Sequence, residues 1–335
     1  MNVREFILSA VFVALGSIVF GQNQIRIGII GLDTSHSIAF TKLLNGDDKK
    51  EEYKDFTIVA AYPYGSKTIK SSYDRIPGYT KQVEELGVEI VGSIAELLTR
   101  VDCILLETND GNLHLEQAEE VFKSGKTTFI DKPIGASLAQ AIAVFELSKK
   151  YNVPVFSSSA LRFVKQTQKL RKGEYGRVLG ADCYSPAHNE PSHPDFSWYG
   201  IHGVEALFTV MGTGCVSVSR TTADSSDVVV GKWADGRIGS FRGIRHGKAG
   251  YGGTAFTASG IVSSGVYEGY EPLLNEILAF FKTRIVPVSE KETLEIFTFM
   301  EASNESKRKN GKTILMEKTY QKGIKDAGKL LRELR

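Results

Sequence analysis

Short apolar runs recur along the first half of the chain, separated by stretches whose apolar residues fall at helical spacing. Ile25 to Ile30 (IRIGII), Phe56 to Ala61, Val101 to Leu106, Thr127 to Ile130 and Val153 to Phe156 predict buried strands. Ser37 to Leu44, Ile94 to Leu98, Leu113 to Lys123 and Leu138 to Tyr151 predict helices, and Val83 to Val91 predicts a short helix and a strand parted by a glycine. Ser137 stands where an N-cap belongs, and Gly125 where a C-cap glycine does. Strand and helix alternate over residues 25 to 157. That is the signature of a parallel sheet wound with helices on both faces. Ligands bind such sheets beyond the carboxyl ends of the strands, so functional residues are expected just after Ile30, Ala61, Leu106 and Ile130.

After about residue 160 the pattern changes. Val178 to Tyr184, Val216 to Thr222, Val228 to Ala234 and Ile238 to Ile244 predict strands with little helix between them, and Asp235-Gly236 predicts a tight hairpin turn. Gly203 to Met211 predicts the exception, a helix. Glycines crowd residues 243 to 269, and helices are expected near Leu273 to Lys282, Lys291 to Lys307 and Thr319 to Leu334. The fold class is therefore α/β: a doubly wound parallel sheet over residues 22–157, then an α+β domain with a large, mostly antiparallel open sheet over 158–335.

The N-terminus departs from this scheme. Phe6 to Phe20 is apolar apart from serine and glycine, and small residues precede the polar Gln22-Asn23-Gln24. This predicts a signal peptide over residues 1–21 and an exported, periplasmic protein. About 15 apolar residues are short for a membrane span, so no stable insertion is expected after cleavage. The net charge of +2 and the lack of a Lys/Arg cluster point away from nucleic acid and towards a small molecule. Three cysteines, Cys103, Cys183 and Cys215, are too few and too scattered for a disulfide framework, and no cysteine–histidine spacing suggests zinc. The loop histidines His188 and His193 are either solvated or hold a metal with Glu190 or Asp195, and Arg242, Arg245 and His246 after a strand could meet an anionic sugar.

Candidate chemistry begins after the first strand, in Gly31-Leu32-Asp33-Thr34-Ser35-His36. A dinucleotide fold wants three glycines here, for a tight turn, for close approach to the pyrophosphate and for helix–strand packing. Gly31 fills the first position, whereas Asp33 and His36 occupy the others. Asp33 either caps the helix or, with His36, points into the cleft and meets substrate. The second strand ends without the acid that grips an adenosine ribose; Ser66 or Lys67 would instead suit a 2′-phosphate.

Further along, Thr108-Asn109 followed by His114, then Gly125-Lys126 ahead of Asp131-Lys132-Pro133, then Arg162-Phe163, and near the end Glu301-Ala302 with Asn310-Gly311-Lys312, occur in an ordered series. In that order the segments resemble the Gfo/Idh/MocA family, whose corresponding motifs read TPN…H, GKH…EKP, RF and EA…G-K. The resemblance implies a Rossmann-type first domain, an NAD or NADP cofactor, a carbohydrate substrate and a homo-oligomer formed through the C-terminal sheet. By the same resemblance Gly31, Asp33, Thr34, Ser35, His36, Thr108, Asn109, His114, Asp131 and Pro133 border the cofactor, and Lys132 holds the substrate oxygen. The family's later Asp…His…acid helix is matched by His202 and Glu205, while Trp198 stands where its aspartate would be. His202 suits acid–base work. Arg162, Trp198, Tyr199 and Glu205 are the expected substrate residues.

The expected function is oxidation or reduction at a ring carbon of a sugar or cyclitol, with Lys132 and His202 as acid–base groups. A redox-neutral lyase or hydratase acting on keto-sugars or 3-keto-glycosides is the alternative, and a non-catalytic sugar-binding protein the third reading.

Overall fold

The computed structural model describes residues 24–334, so the expected signal peptide at 1–21 lies outside the described residues. No helix among them is long and apolar enough to cross a membrane.

The first half runs β1 (Ile25–Ile30), α1 (Ser35–Asn45), β2 (Phe56–Tyr62), α2 (Lys70–Tyr73), α3 (Ile76–Glu85), β3 (Glu89–Ile90), α4 (Ile94–Leu98), β4 (Cys103–Leu106), α5 (His114–Lys123), β5 (Thr127–Ile130), α6 (Leu138–Tyr151) and β6 (Val155–Phe156). The six strands form one parallel sheet in the order β3-β2-β1-β4-β5-β6. This is the doubly wound order of a dinucleotide-binding fold, with its switch point between β1 and β4. The central strands are buried on both faces, which is why they read as unbroken apolar runs. Ser137 caps α6 by accepting the Gln140 N–H.

The second half runs α7 (Lys165–Arg171), β7 (Val178–Pro186), α8 (Ile201–Met211), β8 (Cys215–Thr222), β9 (Ser226–Trp233), β10 (Ile238–Ile244), β11 (Gly252–Thr257), β12 (Gly260–Ser263), α9 (Glu271–Thr283), α10 (Glu290–Arg308), β13 (Ile314–Leu315) and α11 (Met316–Glu333). Its seven strands order as β12-β11-β7-β10-β9-β8-β13. Neighbours are antiparallel except β7 and β10. The Asp235-Gly236 turn joins β9 to β10, with Gly236 at φ 88°. Helices α8 and α10 cover one face of this sheet, where Phe208 meets Trp233 and Phe299. On the other face Leu179, Tyr184, Val230, Ile238 and Phe256 stand exposed.

Helices of the second half, α10 among them, pack against the first. Helix α9 lies under the parallel sheet, where Phe280 meets Phe156 edge-on at 4.9 Å. Helix α11 lies along α6, and Gly323 sits so close to Leu138 and Ile142 that a side chain there would collide.

Candidate functional site

The parallel strands end at a cleft closed from the other side by α8 and the segments following β10 and β12. The cavity measures about 260 Å3. Thr34, Ser35 and His36 line it from the start of α1, Asn109 from beyond β4, and Asp131 and Lys132 from beyond β5. Trp198, Tyr199 and His202 come from the turn into α8, and Tyr251, Tyr267 and Tyr270 from the glycine-rich segment. Lys132 and His202, the two expected acid–base groups, thus line one cavity.

Lys132 is 9 % exposed, and no carboxylate pairs with its ammonium among the described residues. Its Nζ lies 5.9 Å from the centre of the Tyr199 ring. The peptide to Pro133 is cis. His202 Nδ1 is 2.7 Å from Ser159 Oγ. Burial, then the charge of Lys132, hold His202 well below the usual imidazole range, so it is neutral at neutral pH. Ser159 therefore does the orienting for which the sequence offered no aspartate. Serines at 157–159 carry no chemical signature, and this partner was invisible in the sequence.

Arg162 and Glu205 do not line the cleft, and their expected substrate contact is corrected here. Arg162 is 2 % exposed and bonds to Glu205 and Glu292, each at 2.7 Å. Glu205 accepts from Ser158 Oγ at 2.6 Å and from the Ser159 N–H at 2.8 Å. It fixes the loop whose serine orients His202. His114 is likewise a brace: both ring nitrogens meet backbone oxygens, of Thr108 at 2.6 Å and Pro133 at 2.8 Å. Thr108 and Pro133 support the site from beneath.

The first turn shows what replaced the glycines. Gly31 has φ 95°, and a Cβ would strike the Thr108 backbone, so glycine is required. Asp33 does not cap α1; Thr34 holds that position without a side-chain cap bond. The Asp33 carboxylate is buried and accepts from the N–H groups of Asn109 at 3.0 Å and Ser66 at 3.4 Å. Burial raises its pKa to about 6. The Leu32 N–H bonds to Tyr64 O at 3.2 Å. The β2–α2 loop is thus laid against the turn, and Ser66, buried and bonded to Asp110 at 2.8 Å, is not free for a 2′-phosphate. His36 is 4 % exposed. Its Nδ1 lies 2.9 Å from Asp131 Oδ1 and 3.6 Å from Glu107 Oε2. The charge of Asp131 overcomes the effect of burial and raises the His36 pKa to about 10.

A dinucleotide needs donors for its phosphates. At the start of α1 the N–H groups of Thr34, Ser35 and His36 have no backbone acceptor among the described residues, and Arg75 and Ser71 border the same corner of the cavity. These groups fit a pyrophosphate. On the adenosine side, the β2–α2 loop occupies the space beside the turn and offers no acid for the ribose.

Other histidine and charged side chains of the second half do not line the cavity. His193 is buried against Trp198 and accepts the Gly111 N–H at 3.2 Å. Arg245 pairs with Asp227, and Asp195 with Arg220 and Lys307, all in structural ion pairs. Ser71, Arg75, Tyr251, Tyr267 and Tyr270 went unread in the sequence, because isolated polar and aromatic residues in loops carry no spacing signal.

The cleft at the switch point of a 3-2-1-4-5-6 sheet, closed by an α+β domain, defines the class: a two-domain protein with the architecture of NAD-linked dehydrogenases. Residues 25–159 match the family described as "Oxidoreductase family, NAD-binding Rossmann fold", GFO_IDH_MocA. The match spans the parallel-sheet half of the chain and stops before the second sheet. The uncharacterized oxidoreductase YhhX of Escherichia coli strain K12 is 24% identical over 138 residues, which is 37% of this chain and 40% of that protein. The scyllo-inositol dehydrogenase of Lactobacillus casei, solved with NAD(H) and scyllo-inositol, superposes with a TM-score of 0.69 at 17% identity, covering 88% of this chain and 99% of that one. A myo-inositol dehydrogenase from Corynebacterium glutamicum gives 0.70 at 14% identity, covering 87% and 98%. At these identities the likeness is one of fold.

Proposed function

We propose that the protein oxidises or reduces a ring carbon of a sugar or cyclitol using NAD or NADP, with Lys132 and His202 as its acid–base groups. The observation that carries this reading is the pairing of an unpartnered ammonium with a neutral imidazole in one aromatic-walled cavity. When bound, the nicotinamide supplies the hydride acceptor. Thr34, Ser35, His36 and Arg75 would hold its phosphates, and Asn109 borders the ring side of the cavity. Lys132 holds the substrate oxygen and stabilises negative charge there as its proton leaves. With Nδ1–H donating to Ser159, His202 Nε2 is free to take that proton. Trp198, Tyr199 and Tyr251 offer the apolar faces and hydroxyls on which a sugar ring stacks. The apolar segment at 6–20 supports an exported enzyme.

One observation favours a second reading, redox-neutral elimination from a keto-sugar: the loop laid against the first turn crowds the adenosine side. Mass spectrometry of the supernatant from denatured protein, together with NAD and NADP titrations, separates the two. Carried or titratable nucleotide, and turnover that falls about 100-fold or more in Lys132→Met, supports the first. No nucleotide binding, together with aglycone release from a 3-keto-glycoside, would replace it with the second.

A further inference from the structure

We propose that His36, Glu107 and Asp131 form a binding site for one divalent transition-metal ion at the floor of the cleft, beside Lys132. The three side chains come from the start of α1 and the ends of β4 and β5. They are 4 %, 0 % and 1 % exposed. One ligand atom from each lies within 4.8 Å of the other two. Ligands held about 2.0–2.2 Å from a shared ion stand about 3 to 4 Å apart, so a small closure completes the set.

Close packing of acids around a histidine is not by itself a site, and an imidazolium clamped between two carboxylates is its obvious rival. The orphaned atoms decide between them. His36 Nδ1, although 2.9 Å from Asp131 Oδ1, has no aligned hydrogen-bond partner. Glu107 Oε1 and Asp131 Oδ2 are also buried with no partner. Glu107 Oε2 receives only the long contact from Thr34 Oγ1 at 3.5 Å and the 3.6 Å approach of His36. A proton on His36 can serve one of these oxygens at most. Buried polar atoms are otherwise nearly always satisfied. A single divalent ion would use the nitrogen lone pair and one oxygen of each carboxylate together.

One imidazole and two carboxylates suit a borderline ion such as zinc, manganese, iron(II) or cobalt(II) rather than calcium. Three protein ligands leave further positions open, as in catalytic rather than structural sites. Because His36 and Asp131 line the cavity, those positions face it and are available to water or to a substrate oxygen. The family's own motif puts glycine at the position of His36, so the site is a feature of this chain's departure from that motif. The inference does not depend on the redox reading, because binding is measured without turnover.

Cobalt(II) is the probe. The intact protein is stripped with chelator, titrated with cobalt(II), and followed by its visible d–d absorption and by metal analysis after gel filtration. One ion per chain with a d–d band is expected, weakened at least 100-fold in Glu107→Gln, which keeps the shape of the side chain. Glu305→Gln, on the exposed end of α10, serves as the control and leaves binding unchanged. Absence of stoichiometric cobalt in the wild-type protein overturns the proposal, whatever the variants do. So does binding that survives Glu107→Gln at full strength, which would place the ion elsewhere.

Discussion

At the scale of single residues, the site works through indirect support. His202 is held by Ser159, Ser159 by Glu205, and Glu205 by Arg162. Ser159→Ala should therefore lower kcat about 10-fold with little change in KM, because it frees the ring without touching substrate. The groups around His202 are Lys132, Asp131 and His36 by charge and Tyr199 and Tyr251 by ring contact. Its depressed pKa means that the unfolded chain binds this proton more readily than the folded one. The associated stability is complete above the ordinary value of 6.5 and declines as pH falls below it. NMR titration of the His202 ring should give a midpoint well below 6.5, moving upward in Lys132→Met because a repelling cation is gone. A midpoint that stays put would deny the two groups their proximity. Glu292, which pairs with Arg162 and Arg171 and does not line the cavity, offers the contrast. Glu292→Ala should cost about 1–3 kcal/mol in chemical denaturation, because buried Arg162 keeps Glu205 but loses its second carboxylate.

At the scale of elements, the β1–α1 turn carries the most information. Gly31→Ala should destabilise by about 2 kcal/mol or more, since it combines a left-handed backbone with a collision at Thr108. Chemical unfolding checks this. The alternation of strands and helices was legible because each central strand is buried on both faces and each long helix keeps an apolar stripe. Helix α3 was legible only at its end: it opens Ile76-Pro77-Gly78, and Val83 is its one buried residue. Helix α7, with the sequence KQTQKLR, is short and polar for the same reason. Lys132 and His202 could be found through motif order. Asp33 could not be placed from sequence, because its partners are backbone N–H groups 33 and 76 residues away. The unusual His36 was visible as an oddity, but its two acids lie on other strands and only the fold brings them together.

At the scale of the whole molecule, no element among the described residues covers the outer face of the seven-stranded sheet. Leu179, Tyr184, Val230, Ile238 and Phe256 form an exposed apolar surface of the kind that marks association. Analytical ultracentrifugation should show a dimer, and Val230→Lys combined with Phe256→Glu should give a monomer with its cavity intact. A wild-type monomer at micromolar concentration would remove the sheet as an assembly surface.

The placement of α9 and α11 has a consequence for biogenesis. A ribosome releases the β1–β6 region long before the segments at 271–283 and 316–333 that seal its two sides. Until α9 and α11 are free to pack, the nascent sheet keeps Phe156 and Leu138 open to solvent and to chaperones. Native closure of the first domain is thus postponed until residues 316–333 have emerged, and a product stopped short of residue 316 would remain a chaperone client.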